Sequence, residues 1–441
     1  FFGGNDFGPQ TRVKSEPVQE FLQRHYIAAI QQVAQRLKGM AHVVGYDSLN
    51  EASNGYIGVE DLNAPLGALQ MGACPTPFQS MLLGDGVPQE VAVWKLGPTG
   101  ARRSGVQQID PAGRRAWLPG QDCIWKRHGV WEMGSNGEAR LLRPDHFAAV
   151  DGQAVDFNRR YLRPFVNRFA SAMRSIEPDA LIFVESVPHK ALPEWGVEDA
   201  GNVVSAAHWY DGIVLTLKSY VPWLGVDIST LRLVVGPWAV RRSFARQIRQ
   251  LQQEAFQKMG GAPTLIGEFG IPFDLNEKYA YRTGDFRQQI QAMERNMRAM
   301  DDALASWTVW NYTSDNTNAR GDQWNDEDLS IFSRDQQTDP ADPDAGGRAL
   351  QSVVRPYPTH TAGEPLRLSF NIRSRKFTFT FRHDPAVTAP SQLFIPRFHY
   401  PDGCRVEVSD GEWQLDLDGQ KLVYRHTTGQ AEHWIKIYPG K

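Results

Sequence analysis

Between residues 41 and 311 the chain alternates two kinds of segment. Short apolar or β-branched runs end near Tyr46, Glu185, Trp209, Glu268 and Asn311, and longer stretches with apolar residues every three to four positions lie between them. That repetition predicts a parallel sheet, because parallel neighbours need a long crossover and helices supply it. The predicted strands are Ala41 to Tyr46, Ala180 to Glu185, Val203 to Tyr210, Pro263 to Glu268 and Ala305 to Asn311. The first helix is expected to open at Ser15, a hydroxyl cap followed by Glu16-Pro17, and to stop at Gly39. Later helices carry Phe157 to Met173, Phe244 to Met259, Phe286 to Met300 and Gly347 to Val354.

Two regions break the alternation. Residues 54–150 intersperse Gly, Pro, Arg and Trp with short alternating pieces, more than an ordinary connection holds, and read as a long insertion. From about residue 359 the apolar period becomes two, as in Phe377, Phe379, Phe381 and Trp434, Ile435, Ile437, with Asp402-Gly403 and Asp418-Gly419 as turns. The chain is therefore read as α/β over 1–358, with the insertion at 54–150, and as an antiparallel β-sandwich over 359–441.

Five strands are three short of a closed (β/α)8 TIM barrel, and an open set would expose apolar edges. The expectation is that the chain holds barrel strands four to eight, and that the first three βα units lie upstream or on a second polypeptide. An open doubly wound sheet is the alternative.

Composition excludes more than it assigns. With 47 basic residues scattered among 50 acidic ones, nothing points to nucleic acid. Cys74, Cys123 and Cys404 stand far apart without a CxxC or His/Cys cluster, so neither disulfide framework nor metal is expected and a reducing, intracellular setting is favoured. No apolar run approaches the ~20 residues of a membrane helix.

Two of the strands deliver a glutamate, one in Asn50-Glu51 and one in Gly267-Glu268-Phe269-Gly270. Catalytic groups of β/α barrels stand at the C-terminal strand ends. Two carboxyl groups about 5–5.5 Å apart, one as acid/base and one as nucleophile, are what a retaining glycosidase needs. Glu185 also ends a strand and is read as structural or rim.

Asn50-Glu51, His208-Trp209-Tyr210, Gly267-Glu268-Phe269-Gly270 and Trp307-Thr308-Val309-Trp310-Asn311 resemble glycoside hydrolase family 5. Tyr312-Thr313-Ser314-Asp315-Asn316 and the β-rich tail are similar to its fungal endoglycoceramidase-related branch. The resemblance implies Glu51 as acid/base, Glu268 as nucleophile and Asn50 at the sugar 2-hydroxyl. It further implies that Tyr210 hydrogen-bonds Glu268 and keeps it ionised, that His208 lines the pocket floor and that Trp310 stacks under glucose. No cofactor is implied.

The same branch implies a glycolipid substrate, ergosteryl β-glucoside ahead of glucosylceramide. Trp94, Trp117, Trp125 and Trp131 of the insertion and the loop Tyr220 to Leu224 are expected to wall an apolar aglycone pocket. The sandwich of 359–441 is expected to brace the barrel, with peripheral membrane contact through Phe394 to Tyr400 as the alternative. A non-catalytic glycolipid-binding protein and a metal-dependent hydrolase are the competing function classes, and the latter lacks an HExxH-type pattern. The setting is expected to be cytoplasmic or vacuolar.

Overall fold

The computed structural model describes residues 1–440 apart from 68–69, 98–99 and 187–189. Two compact units emerge: Phe1–Ile182 with Pro193–Asn202, and Phe183–Leu192 with Val203–Lys441.

In the first unit a two-residue ladder, Arg12–Val13 against Glu16–Pro17, precedes helix α1, Val18–Leu37. Ser15 is thus not the helix cap. It sits in the reversal of that ladder beside Lys14, whose φ of 55° makes the turn, and its carbonyl accepts from Arg12 Nε at 2.9 Å. Strand β1 spans Gly45–Asp47 and is shorter than the sequence suggests. Met40 N–H and Val43 N–H are used in turns, to Leu37 O and Met40 O, rather than in a ladder. β1 lies beside the start of strand β2, Leu181–Val184, which crosses the boundary between the units. Glycine is required at 45, since a Cβ there would stand 2.1 Å from Leu181 O. Helix α2, Arg163–Arg174, leads into β2 and buries Phe165, Val166, Phe169 and Met173 on one face.

The 54–150 region builds a core together with Phe7 and Tyr161. Gly72–Ala73, Gln89–Gly97 and Gly100–Ile109 form an antiparallel sheet, and a Thr76–Gln79 capping box opens the helix Pro77–Gly84. Leu62, Met81, Leu82, Val130, Trp131 and Phe147 pack together, with Trp117 and Trp125 against them. Trp131 is fully buried there, which corrects its expected place in a pocket wall: the ring is core, not lining.

In the second unit β3 (Val203–His208), β4 (Thr264–Phe269) and β5 (Ser306–Val309) are parallel neighbours. Helix α3, Pro237–Lys258, starts with proline at its first position, seven residues earlier than the apolar period alone suggested, and precedes β4. Helix α4, Arg287–Ala303, precedes β5. Val240, Phe244 and Ile248 of α3 meet Met293, Met297 and Met300 of α4 over Ile266 and Phe269 of β4. β3 is buried at every position, as expected of a strand covered on both faces. The described strands of this kind are five, β1 to β5, so the sheet amounts to a half-barrel rather than a closed one.

The period-two tail folds as two four-stranded antiparallel sheets. Its strands are β6 (Tyr357–His360), β7 (Gly363–Asn371), β8 (Lys376–His383), β9 (Ser391–Phe394), β10 (Cys404–Val408), β11 (Glu412–Asp416), β12 (Lys421–Arg425) and β13 (Glu432–Pro439). One sheet runs β6-β9-β12-β11, the other β7-β8-β13-β10. Phe377, Phe379, Phe381, Leu393, Leu422, Tyr424, Ile435 and Ile437 fill the space between them. Buried Arg355 ties the tail to α4: it donates to Asp301 Oδ2 at 2.6 Å and to Glu294 Oε2 at 3.3 Å, and stacks 5.2 Å from the Phe370 ring. In the segment 394–400, Ile395 and Tyr400 join the sandwich core and His399 Nε2 lies 3.1 Å from Gln351 O. No helix among the described residues is long and apolar enough to cross a membrane.

Candidate active site

The site in the second unit is organised by a bulge. β3 and β4 pair Ser205 with Thr264, Ala206 with Leu265 and Ala207 with Ile266, after which the register skips so that His208 pairs with Glu268. Gly267 is the extra residue. Ile266 and Phe269, three apart rather than two, both enter the helix-packed core, so Glu268 is turned to the opposite face from Ile266. A Cβ at 267 would stand 3.1 Å from Ala206 O, tighter than ordinary packing.

After β3 the alternation is regular. Trp209 points into the helix layer, where its ring lies 5.0 Å from Phe244 and Nε1 donates to Gln247 Oε1 at 3.3 Å. His208 and Tyr210 therefore share the other face with Glu268. Tyr210 donates its hydroxyl to Glu268 Oε2 at 2.8 Å, and His208 Nδ1 lies 3.2 Å from the same oxygen. On its far side His208 Nε2 stands 3.2 Å from Glu185 Oε1. An imidazole between two carboxylates can serve both only as a two-proton donor. His208 and Glu185 are buried, whereas the Glu268 side chain is 15% exposed. Glu185, just past β2, is thus buried structure rather than rim: it backs the imidazole that backs Glu268. The strand-end carboxylate was visible in Phe183-Val184-Glu185, but its partner was not.

Trp310, half-buried, follows β5. Its N–H donates to Phe269 O at 2.9 Å, and its peptide bond to Asn311 is cis. Gly270 makes room for it, since a Cβ there would meet Trp310 O at 2.2 Å. The succeeding loop is fixed by a polar network. Asn316, fully buried, donates to Asp322 at 2.8 Å and Asp328 at 3.0 Å, and Arg348 closes on Asp328 at 2.7 Å. Exposed Trp324, which sequence reading missed, lies edge-on to Trp310 at 6.4 Å.

Asn50 and Glu51 belong to the first unit, in the turn beyond β1. Tyr26 donates to Ser48 O at 2.9 Å and Leu49 N–H to Asp47 Oδ1 at 3.1 Å, which fixes the approach to the turn. Glu51 has a φ of 42°, a left-handed conformation uncommon for a residue with a side chain, and is half-buried, while Asn50 is exposed.

Residues 355–437 match the family model described as the glycoside hydrolase family 5 C-terminal domain. Over 99% of its length the chain is 31% identical to a glucosylceramidase of Aspergillus fumigatus, spanning 71% of that protein. It is 26% identical to the ergosteryl-beta-glucosidase of Saccharomyces cerevisiae, over 97% of this chain and 69% of that one. The crystal structure of Cryptococcus neoformans sterylglucosidase 1 superposes with a TM-score of 0.91 and 30% identity, covering 100% of this chain and 70% of its own.

Proposed function

The chain belongs to glycoside hydrolase family 5, and from that premise we propose that it is a retaining β-glucosidase acting on a lipid-linked glucoside whose aglycone is a sterol. The observation that carries the reading is Glu268, a strand-end carboxylate held on one oxygen by Tyr210 and His208. Two donors on a carboxylate favour its ionised form and fix its aim, which is what a nucleophile requires.

Glu268 attacks the anomeric carbon as the glucosidic C–O bond breaks, and Glu51 passes its proton to the departing oxygen. Water then attacks the glucosyl–Glu268 ester with its proton going to Glu51, which frees glucose and restores both carboxyl groups. Asn50 holds the 2-hydroxyl, and Trp310 lies under the sugar ring. β1 to β5 correspond to the fourth to eighth strands of the family's barrel, and the other three come from sequence outside these 441 residues. Residues 1–358 make the barrel part and 359–441 its bracing sandwich. No cofactor takes part.

A lipid aglycone is supported by the hairpin Leu224–Asp227/Arg232–Val235. Leu231, Leu233 and Val235, every second residue, are at least half exposed, as are Trp223 and Trp238 at its flanks. Side chains of this kind in solvent suit a lipid surface. Three free thiols suit an intracellular setting. Glucosylceramide is the second reading, favoured by the 31% identity to a glucosylceramidase against 26% to the ergosteryl enzyme.

Three measurements test the assignment. Glu268→Gln is expected to abolish turnover while retaining substrate, and a 2-deoxy-2-fluoroglucoside should label Glu268 in the wild-type chain. A label on another residue, or turnover surviving in the variant, refutes the nucleophile. Glucose release from steryl glucoside and glucosylceramide in parallel decides the aglycone, and faster release from the ceramide overturns the sterol.

A further inference from the structure

Three histidines far apart in sequence meet in the sandwich. His383 ends β8, His426 follows β12 and His433 is the second residue of β13. β8 and β13 belong to one sheet and β12 to the other, so the cluster joins both sheets. One ring nitrogen from each lies within 4.8 Å of the others. His383 Nδ1 and His433 Nε2 are 3.0 Å apart, and His426 Nδ1 is buried with no hydrogen-bond partner among the described residues.

We propose that His383, His426 and His433 form a zinc site that staples the two sheets of the sandwich. Zinc–imidazole bonds are about 2.0–2.1 Å long, so donors on a tetrahedral ion stand roughly 3.4 Å apart. The His383–His433 pair is within a few tenths of an ångström of that spacing. The tautomer is set from behind: His433 Nδ1 lies 2.9 Å from Asp410 Oδ1, so Nδ1 carries the proton and Nε2 presents its lone pair. Asp410 also accepts from Tyr424 Oη at 2.5 Å and from Thr427 N–H at 3.1 Å. An all-imidazole donor set suits zinc over magnesium or calcium, and solvent completes the fourth position. No sequence motif announces the cluster, because its members stand 43 and 7 positions apart and none sits in a CxxC or HxxxH pattern.

The test uses the whole chain, stripped of metal and titrated with Zn²⁺ by calorimetry, with Co²⁺ as a spectroscopic probe. One tightly bound zinc per chain, tetrahedral visible bands with cobalt and a melting temperature several degrees higher with zinc are expected. His426→Ala and His383→Asn should each remove the site, and Asp410→Asn should weaken it about 10- to 100-fold. The exposed control His25→Ala should leave binding unchanged. Unaltered stoichiometry in both folded histidine variants, or no binding to the stripped wild-type chain, means that the rings are a hydrogen-bonded cluster only and overturns the proposal.

Discussion

Tyr210→Phe isolates one hydrogen bond at Glu268, the proposed nucleophile. The substitution removes a single oxygen, the donor 2.8 Å from Glu268 Oε2, and leaves the ring and the His208 contact in place. A hydrogen bond to a charged group contributes about 1.5–3 kcal/mol. At roughly 1.4 kcal/mol per factor of ten, kcat/KM on an aryl β-glucoside should fall about 10- to 150-fold. The fall should sit toward the lower end, because His208 still holds the same oxygen. The lost contact favoured the ionised carboxylate, so the acidic limb of the kcat/KM profile should move to higher pH. Initial rates across pH, with a thermal melt to show an intact fold, supply the test. A kcat/KM within threefold of wild type with an unmoved acidic limb would show that Tyr210 neither aims nor ionises Glu268.

Other predictions follow from the same structure. Glu185→Gln keeps the side chain's size but removes the charge behind His208 Nε2; kcat should drop with KM little changed, and a change confined to KM counts against a positioning role. Gly270→Ala would drive a Cβ to 2.2 Å from Trp310 O, so Trp310 must move; a raised KM for the glucoside with a lower melting temperature is expected, and wild-type values in both refute it. Arg355→Met leaves Asp301 buried without its cation, while Glu294 keeps Arg298, and denaturant unfolding should register a loss of about 3–5 kcal/mol. Burial raises Asp301 from 3.8 to about 6 despite Arg355. The folded state therefore binds this proton more tightly than the unfolded one, and stability from it is present at low pH and lost as pH rises through about 6. Asp301→Asn should flatten that slope, measured by urea unfolding at stepped pH.

The strand ends were readable because each closes an apolar run with a polar or aromatic residue, and the helices because their buried faces repeat faithfully, as with Met293, Met297 and Met300. What escaped reading was decided by pairing rather than pattern. Ser15 looks like a cap until its neighbours join a small ladder, and Val43 looks like a strand until turns claim the N–H groups around it. Trp131 has the composition of a ligand wall and the position of a core. Glu185 could be seen at its strand end, but not the ring between it and Glu268. The histidine cluster was beyond reach for the same reason: only the meeting of β8, β12 and β13 makes neighbours of its members.

The skipped register at Gly267 makes the chemistry a matter of counting. Pair Ile266 to Phe269 without that skip, all four residues kept, and the pleat resumes its ordinary alternation. The carboxylate would then be carried into the methionine-rich layer under the helices, and Phe269 would turn out of it. A relative could keep every residue type of the motif and still bury its carboxylate, so the register at this point is as diagnostic as the glutamate itself.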